Sequence, residues 1–149
     1  MRPASPYRAL LDANPARHST IDVLGSSTHY WEYGPESSPT VLVLIHGFRG
    51  DHHGLEAVSA HIRGIRIVIP DLPGFGESTP LSGHIHDIDG YALWLEAFLE
   101  QLGLTGRAHL VGHSFGSIVV SAAVSRGLST PKLILMNPIA APALSGPNG

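Results

Sequence analysis

"HLVGHSFGS", residues 109–117, decides the reading of this chain. The apolar run "RAHLVG" leads into Gly112, His113, Ser114, Phe115 and Gly116, and "FGSIVVSAAVSRG" follows with the composition of a helix. G-x-S-x-G between strand and helix is the pattern of a nucleophile elbow, a sharp turn that lifts a serine above the carboxyl end of a sheet. Gly112 and Gly116 suit it because side chains there would collide with neighbouring backbone. The following helix aims its first N–H groups and the positive end of its dipole at the same place. Ser114 is therefore the candidate nucleophile. A serine hydroxyl is a weak one until a base takes its proton.

The flanking segments alternate in character. "TVLVLI", 40–45, is a continuous run rich in β-branched residues after Pro39, the pattern of a strand buried on both faces. "HHGLEAVSAHI", 52–62, reads as a short helix with Asp51 as N-cap, and "IRIVIP", 65–70, as the next strand. Between Asp87 and Leu102 the apolar residues Ile88, Tyr91, Leu95, Phe98 and Leu102 recur at helical spacing, and Gly103 supplies the stop. The stripe Tyr91, Trp94, Phe98 is core packing. "STIDVLGSSTHYWEYG", 19–34, reads as a hairpin around a Gly-Ser-Ser turn, adding antiparallel strands to one edge. Strands alternating with helices predict an α/β fold, a mostly parallel sheet covered by helices on both faces. Residues 1–17 read as a flexible leader, 18–140 as the core, and 141–149 as a Pro/Gly/Ala-rich tail without periodicity. "KLILMN", 132–137, is as apolar as an interior strand, yet no later run could pair with it. Such an edge invites association with another chain.

Composition narrows the chemistry. The 149 residues are 43% hydrophobic and carry a formal net charge of -3. That suits one core and gives no basic footprint for nucleic acid. Lys132 is the sole lysine, so no G-x-x-x-x-G-K-[ST] phosphate loop can be written. The absence of Cys removes thiol nucleophiles, disulfides and Cys-based zinc sites. No export signal or apolar run long enough to span a bilayer is seen, and the expected location is cytoplasmic, off the membrane. "HIHDID", 84–89, departs from the H-x-H-x-D-H metallohydrolase pattern at its last two positions; Asp87 reads as a helix cap, and no metal site is expected.

Two further stretches bear on Ser114. A stabilised oxyanion needs preorganised donors. The N–H of Phe115 is one; the loop after the first buried strand, in "LIHGFRG" (44–50), offers the N–H of Phe48 as the second. "DLPGFGES", 71–78, lacks the third glycine and the immediate helix of a dinucleotide site, so Asp71 is expected to bond loop backbone in a tight turn. The loops also lack phosphate-binding character, which disfavours a flavodoxin-like binding domain.

Together, "HGF", "DLPGFGES" and "GHSFGS" resemble the α/β-hydrolase superfamily, in the branch of serine esterases, lipases, carbon–carbon bond hydrolases and cofactor-free haloperoxidases. The likeness runs from about residue 19 to 140. It implies that Ser114 is the nucleophile and that Phe48 and Phe115 give backbone N–H groups to the oxyanion. It also implies that His46, Gly47, Gly112, His113 and Gly116 are structural at the site, with neither histidine the base. A small-molecule ester or similar carbonyl substrate and no cofactor are implied too. The serine argues against the epoxide-hydrolase and haloalkane-dehalogenase branches, which place Asp at the elbow.

In that family the order is Ser, then Asp or Glu, then His. Here all ten histidines lie at or before His113, and no Asp or Glu follows Glu100. Asn137 stands where some relatives carry an acid, but its neutral amide cannot stabilise an imidazolium as a carboxylate would. The expectation is the N-terminal part of a hydrolase, with the last strands and cap missing, residues 141–149 beginning a cap or linker, and little activity alone. The alternative is a non-catalytic binding or interaction module.

Overall fold

The structure, a computed structural model, describes residues 15–47 and 52–137, together with Ala9, Asp12 and Ala13. Among these residues one sheet contains β1 (Arg17–Val23), β2 (Ser26–Tyr33), β3 (Val41–Ile45), β4 (Arg66–Pro70), β5 (Ala108–His113) and β6 (Leu133–Met136). Their spatial order is β1-β2-β4-β3-β5-β6. Strands β3 to β6 pair in parallel, while β1 and β2 form an antiparallel hairpin joined to β4. The helices are α1 (Glu56–His61), entered through a 3-10 turn at His52–Leu55, then α2 (Ile88–Gln101) and α3 (Phe115–Ser125). Asp51, expected to cap the first of them, lies outside the described residues.

Each face of the sheet is covered. Tyr91, Trp94, Leu95 and Phe98 of α2 pack with Val119, Val120 and Ala123 of α3 against Val41, Val43, Ile45 and Leu110. On the other face Leu55, Val58 and Ile62 meet Leu44, Ile67, Ile69 and Val111. Residues such as Trp94, Phe98 and Leu44 have no exposed surface, and burying each contributes about 1.5–3 kcal/mol. The indole of Trp94 donates to Thr28 Oγ1 at 3.1 Å, so its polar edge is satisfied inside the core.

The helix signals act as their chemistry requires. Asp87 caps α2 by accepting from the Gly90 N–H at 2.8 Å. At the other end Gly103 takes φ +70, and Leu104 N–H closes back on Leu99 O at 2.8 Å. The hairpin corrects the sequence reading. Its turn is Leu24-Gly25, both with positive φ (50 and 82), and Ser26 and Ser27 already belong to β2. A two-residue turn of this kind follows the twist of the strands it joins. Ser26 is buried and donates to Thr79 O at 2.6 Å, which takes it out of the turn.

One edge of the sheet, among the described residues, is β6, in register with β5 from Leu110↔Leu133 to His113↔Met136. Leu133, Ile134 and Leu135 are 36–42% exposed there, unlike the buried apolar residues of β3. No helix among the described residues is long and apolar enough to cross a membrane.

Candidate functional site

The chain leaves β3 for β4 on one side, then returns past β3 to β5 on the other. A reversal of strand order of this kind opens a crevice at the carboxyl ends of the two central strands. Ser114 sits there, between the end of β5 and the start of α3, with φ 56 and ψ -120. A non-glycine residue in that region is strained by roughly 1–3 kcal/mol and needs its surroundings to hold it. Ser114 N–H donates to Met136 O at 3.0 Å, and Ser114 O accepts from Ser117 N–H at 2.9 Å. The Ser117 hydroxyl donates to the same carbonyl.

Steric demand explains the glycines. A Cβ on Gly112 would come within 2.5 Å of Gly116 O, and one on Gly116 would overlap Ile45 O. A Cβ on Gly47 would lie 2.9 Å from Ser114 Cβ and 3.3 Å from its Oγ. The segment after β3 is thus packed directly against the serine. Phe115 is the first residue of α3, the position from which a helix presents an N–H to an anion. Phe48, the second expected donor, lies outside the described residues.

His46 is buried and fully committed. Its Nδ1–H donates to Gly47 O at 2.7 Å, while Nε2 accepts the Leu72 N–H at 2.9 Å. Those roles describe one neutral tautomer with neither ring nitrogen available to a serine. His113 ends β5 opposite Met136. Among the described residues no histidine or carboxylate is hydrogen-bonded to the Ser114 hydroxyl.

Asp71 is the electrostatic anchor of this end of the sheet. Its Oδ1 accepts from His52 N–H (2.8 Å) and His52 Nδ1 (2.9 Å), and its Oδ2 from Glu77 N–H (2.9 Å). Burial works to raise its pKa, but the bonds from the His52 ring, Glu77 and the His52 backbone together hold it below the ordinary carboxylate value. The expected turn is there: Gly76 takes φ +53, and a Cβ on it would collide with the Asp71 carboxylate. The His52 partner is the part that spacing did not reveal, since it arrives from a loop 19 residues earlier.

Beside Phe115 lies a cavity of about 440 Å³, lined among the described residues by His86, Asp87, Ile88, Asp89 and Phe115. Its size falls within the range of small-molecule sites. His86 is held by Leu81 N–H, which donates to its Nε2 at 2.9 Å. No group of three or more His, Asp or Glu among the described residues is placed to hold a metal ion.

The chain is similar to several known proteins. The chain is 32% identical over 78 residues to Lipase 3 of Moraxella sp. (strain TA144), covering 52% of this chain and 25% of that one. It is 33% identical over 132 residues to the bifunctional esterase/perhydrolase DCH of Acinetobacter calcoaceticus, covering 84% and 47%. The chain therefore spans a quarter to about half the length of these relatives. Among solved structures, a bacterial membrane phospholipase A superposes with a TM-score of 0.76 at 27% identity, covering 90% of this chain and 42% of that one. Residues 40–147 match the family described as alpha/beta hydrolase fold. With its sheet order, its G-x-S-x-G turn and that match, the chain belongs to the alpha/beta hydrolase fold family.

Proposed function

We propose that this chain carries the nucleophile half of a serine hydrolase acting on an ester or similar small carbonyl substrate. The observation that carries the reading is Ser114 itself, held at positive φ between β5 and α3 with Gly47 packed against it. Ser114 Oγ attacks the carbonyl carbon, and the developing oxyanion accepts from the N–H groups of Phe115 and Phe48. As the tetrahedral adduct collapses, the serine proton passes by way of the base to the departing alcohol, leaving an acyl-enzyme that water hydrolyses. This chemistry requires no cofactor. The acid and base come from residues outside this chain, so the chain alone is nearly inert. The lipase and esterase relatives support the substrate class.

A fluorophosphonate time course with the site mapped by mass spectrometry tests this. Slow modification at Ser114, absent from Ser114→Ala, is expected. Rapid stoichiometric labelling of the 149-residue chain would refute the external base; modification elsewhere would refute the nucleophile.

The exposed apolar edge favours a second reading, an interaction module. There β6 pairs antiparallel with β6 of a second copy, extending the sheet across a twofold axis. Sedimentation velocity across a concentration series should then show dimers for the wild-type chain and monomers for Ile134→Lys. A wild-type chain that stays monomeric while well folded removes this reading.

A further inference from the structure

We propose that His18 and His29 form a two-imidazole site for a divalent transition metal of the copper(II) or nickel(II) class, on the outer hairpin and apart from Ser114. The register pairs His18 with Trp31 and Thr20 with His29, so these four side chains share one face of β1 and β2. The two histidines are diagonal neighbours, and His18 Nε2 lies 2.9 Å from His29 Nδ1.

The His18 ring and the His29 backbone stand on fixed supports. The His18 ring lies flat on the Trp31 indole, with centroids 4.5 Å apart and an interplanar angle of 2°. The same indole is also stacked with the His52 ring, with centroids 3.3 Å apart. His29 is tied through its backbone: its N–H donates to Ser78 Oγ at 3.0 Å, and its carbonyl accepts from Asp71 N–H at 2.9 Å. Ligands carried on paired strands and locked by neighbours lose little freedom when they bind.

Ligand type selects the metal. Metal–nitrogen bonds of about 2.0–2.1 Å put adjacent ligand atoms about 2.9 Å apart at a right angle, and about 3.4 Å apart at the tetrahedral angle. The observed 2.9 Å is the hydrogen bond between the rings, which modest ring rotations convert into a pair of adjacent ligands, and imidazole nitrogens hold copper(II) and nickel(II) among the tightest of the divalent first-row ions. Without metal, one ring N–H donates to the other ring. On binding, that proton moves to the far nitrogen of its own ring, and both facing lone pairs turn to the ion. Water completes the coordination, with the Thr20 hydroxyl, 3.3 Å from His29 Nδ1, placed to accept from a bound water. Two protein ligands make an exchangeable site in the micromolar range, with the ion clasping the edge strand β1 to β2.

Trp31 makes the site visible, because an open-shell ion at His18 quenches an indole stacked on that ring. The other tryptophan, Trp94, is buried on the opposite face of the sheet. Tag-free 149-residue chain titrated with copper(II) chloride should lose Trp31 fluorescence at one equivalent. His18→Gln and His29→Gln should each bind about tenfold or more weakly, with unchanged far-ultraviolet circular dichroism. The double variant His84→Gln/His86→Gln, in the other exposed histidine pair, should bind as wild type. Electron paramagnetic resonance of the one-equivalent complex should show two nitrogen ligands. No binding, equal affinity in His29→Gln, or loss in the His84/His86 variant would each overturn the site.

Discussion

Fluorophosphonate labelling of Ser114 is expected to accelerate by about 10³-fold or more when the chain is joined to the C-terminal half of a related hydrolase that carries an Asp or Glu followed by a His. In well-studied serine hydrolases, loss of the base removes most of the rate, while the oxyanion donors and binding retain a residue of about 10³–10⁴ over water. On the proposed reading this chain stands on the low side of that gap. Its elbow is formed and its helix N-terminus is in place, but His46 has both ring nitrogens committed and no other described histidine is bonded to the serine. Ser114→Ala should show no labelling at that position with or without the added half. Comparable rates for the isolated and completed chains, both well folded, would mean that a base lies within these 149 residues.

Asp71→Ala is expected to destabilise the fold by about 3 kcal/mol, because it strands the buried His52 N–H and His52 ring and the part-buried Glu77 N–H. The effect depends on pH in a defined direction. The Asp71 carboxyl has its pKa lowered in the folded state from an ordinary 3.8. Between the folded and unfolded values the unfolded chain binds more protons, so stability rises with pH there. The contribution is complete above about pH 5 and is lost as the pH falls through the ordinary and then the folded value. Urea unfolding at a series of pH values should show wild type losing its advantage over Asp71→Asn in acid. A constant difference between the two from pH 6 down to pH 3 would show that the carboxylate charge is not what stabilises this corner.

Much of this was legible in the chain, for reasons that differ from residue to residue. Continuous runs rich in β-branched residues place β3 and β4 because an interior parallel strand must be apolar on both sides. Asp87 and Gly103 bound α2 because each answers a local need for hydrogen bonds. Ser114, Gly112 and Gly116 were readable because their constraint is packed into five residues. What escaped was non-local. The Leu24-Gly25 turn was hidden by the serines after it, whose partner Thr79 lies more than 50 residues away. The His52–Asp71 pair and the stack of His18, Trp31 and His52 depend on strand order, which no spacing records.

The adjacency of β3 and β5 bears on the order in which such a site is made. The segments that touch Ser114, namely the turn at Gly47, the elbow itself and Met136 at the end of β6, all belong to the first 136 residues of the sequence. A ribosome releases them before any segment that follows them, and units that emerge first tend to fold first. On the proposed reading the nucleophile is therefore set in its turn before its base has been synthesised. A nascent chain could hold a finished elbow without being able to attack an ester, and the enzyme would arm only on completion.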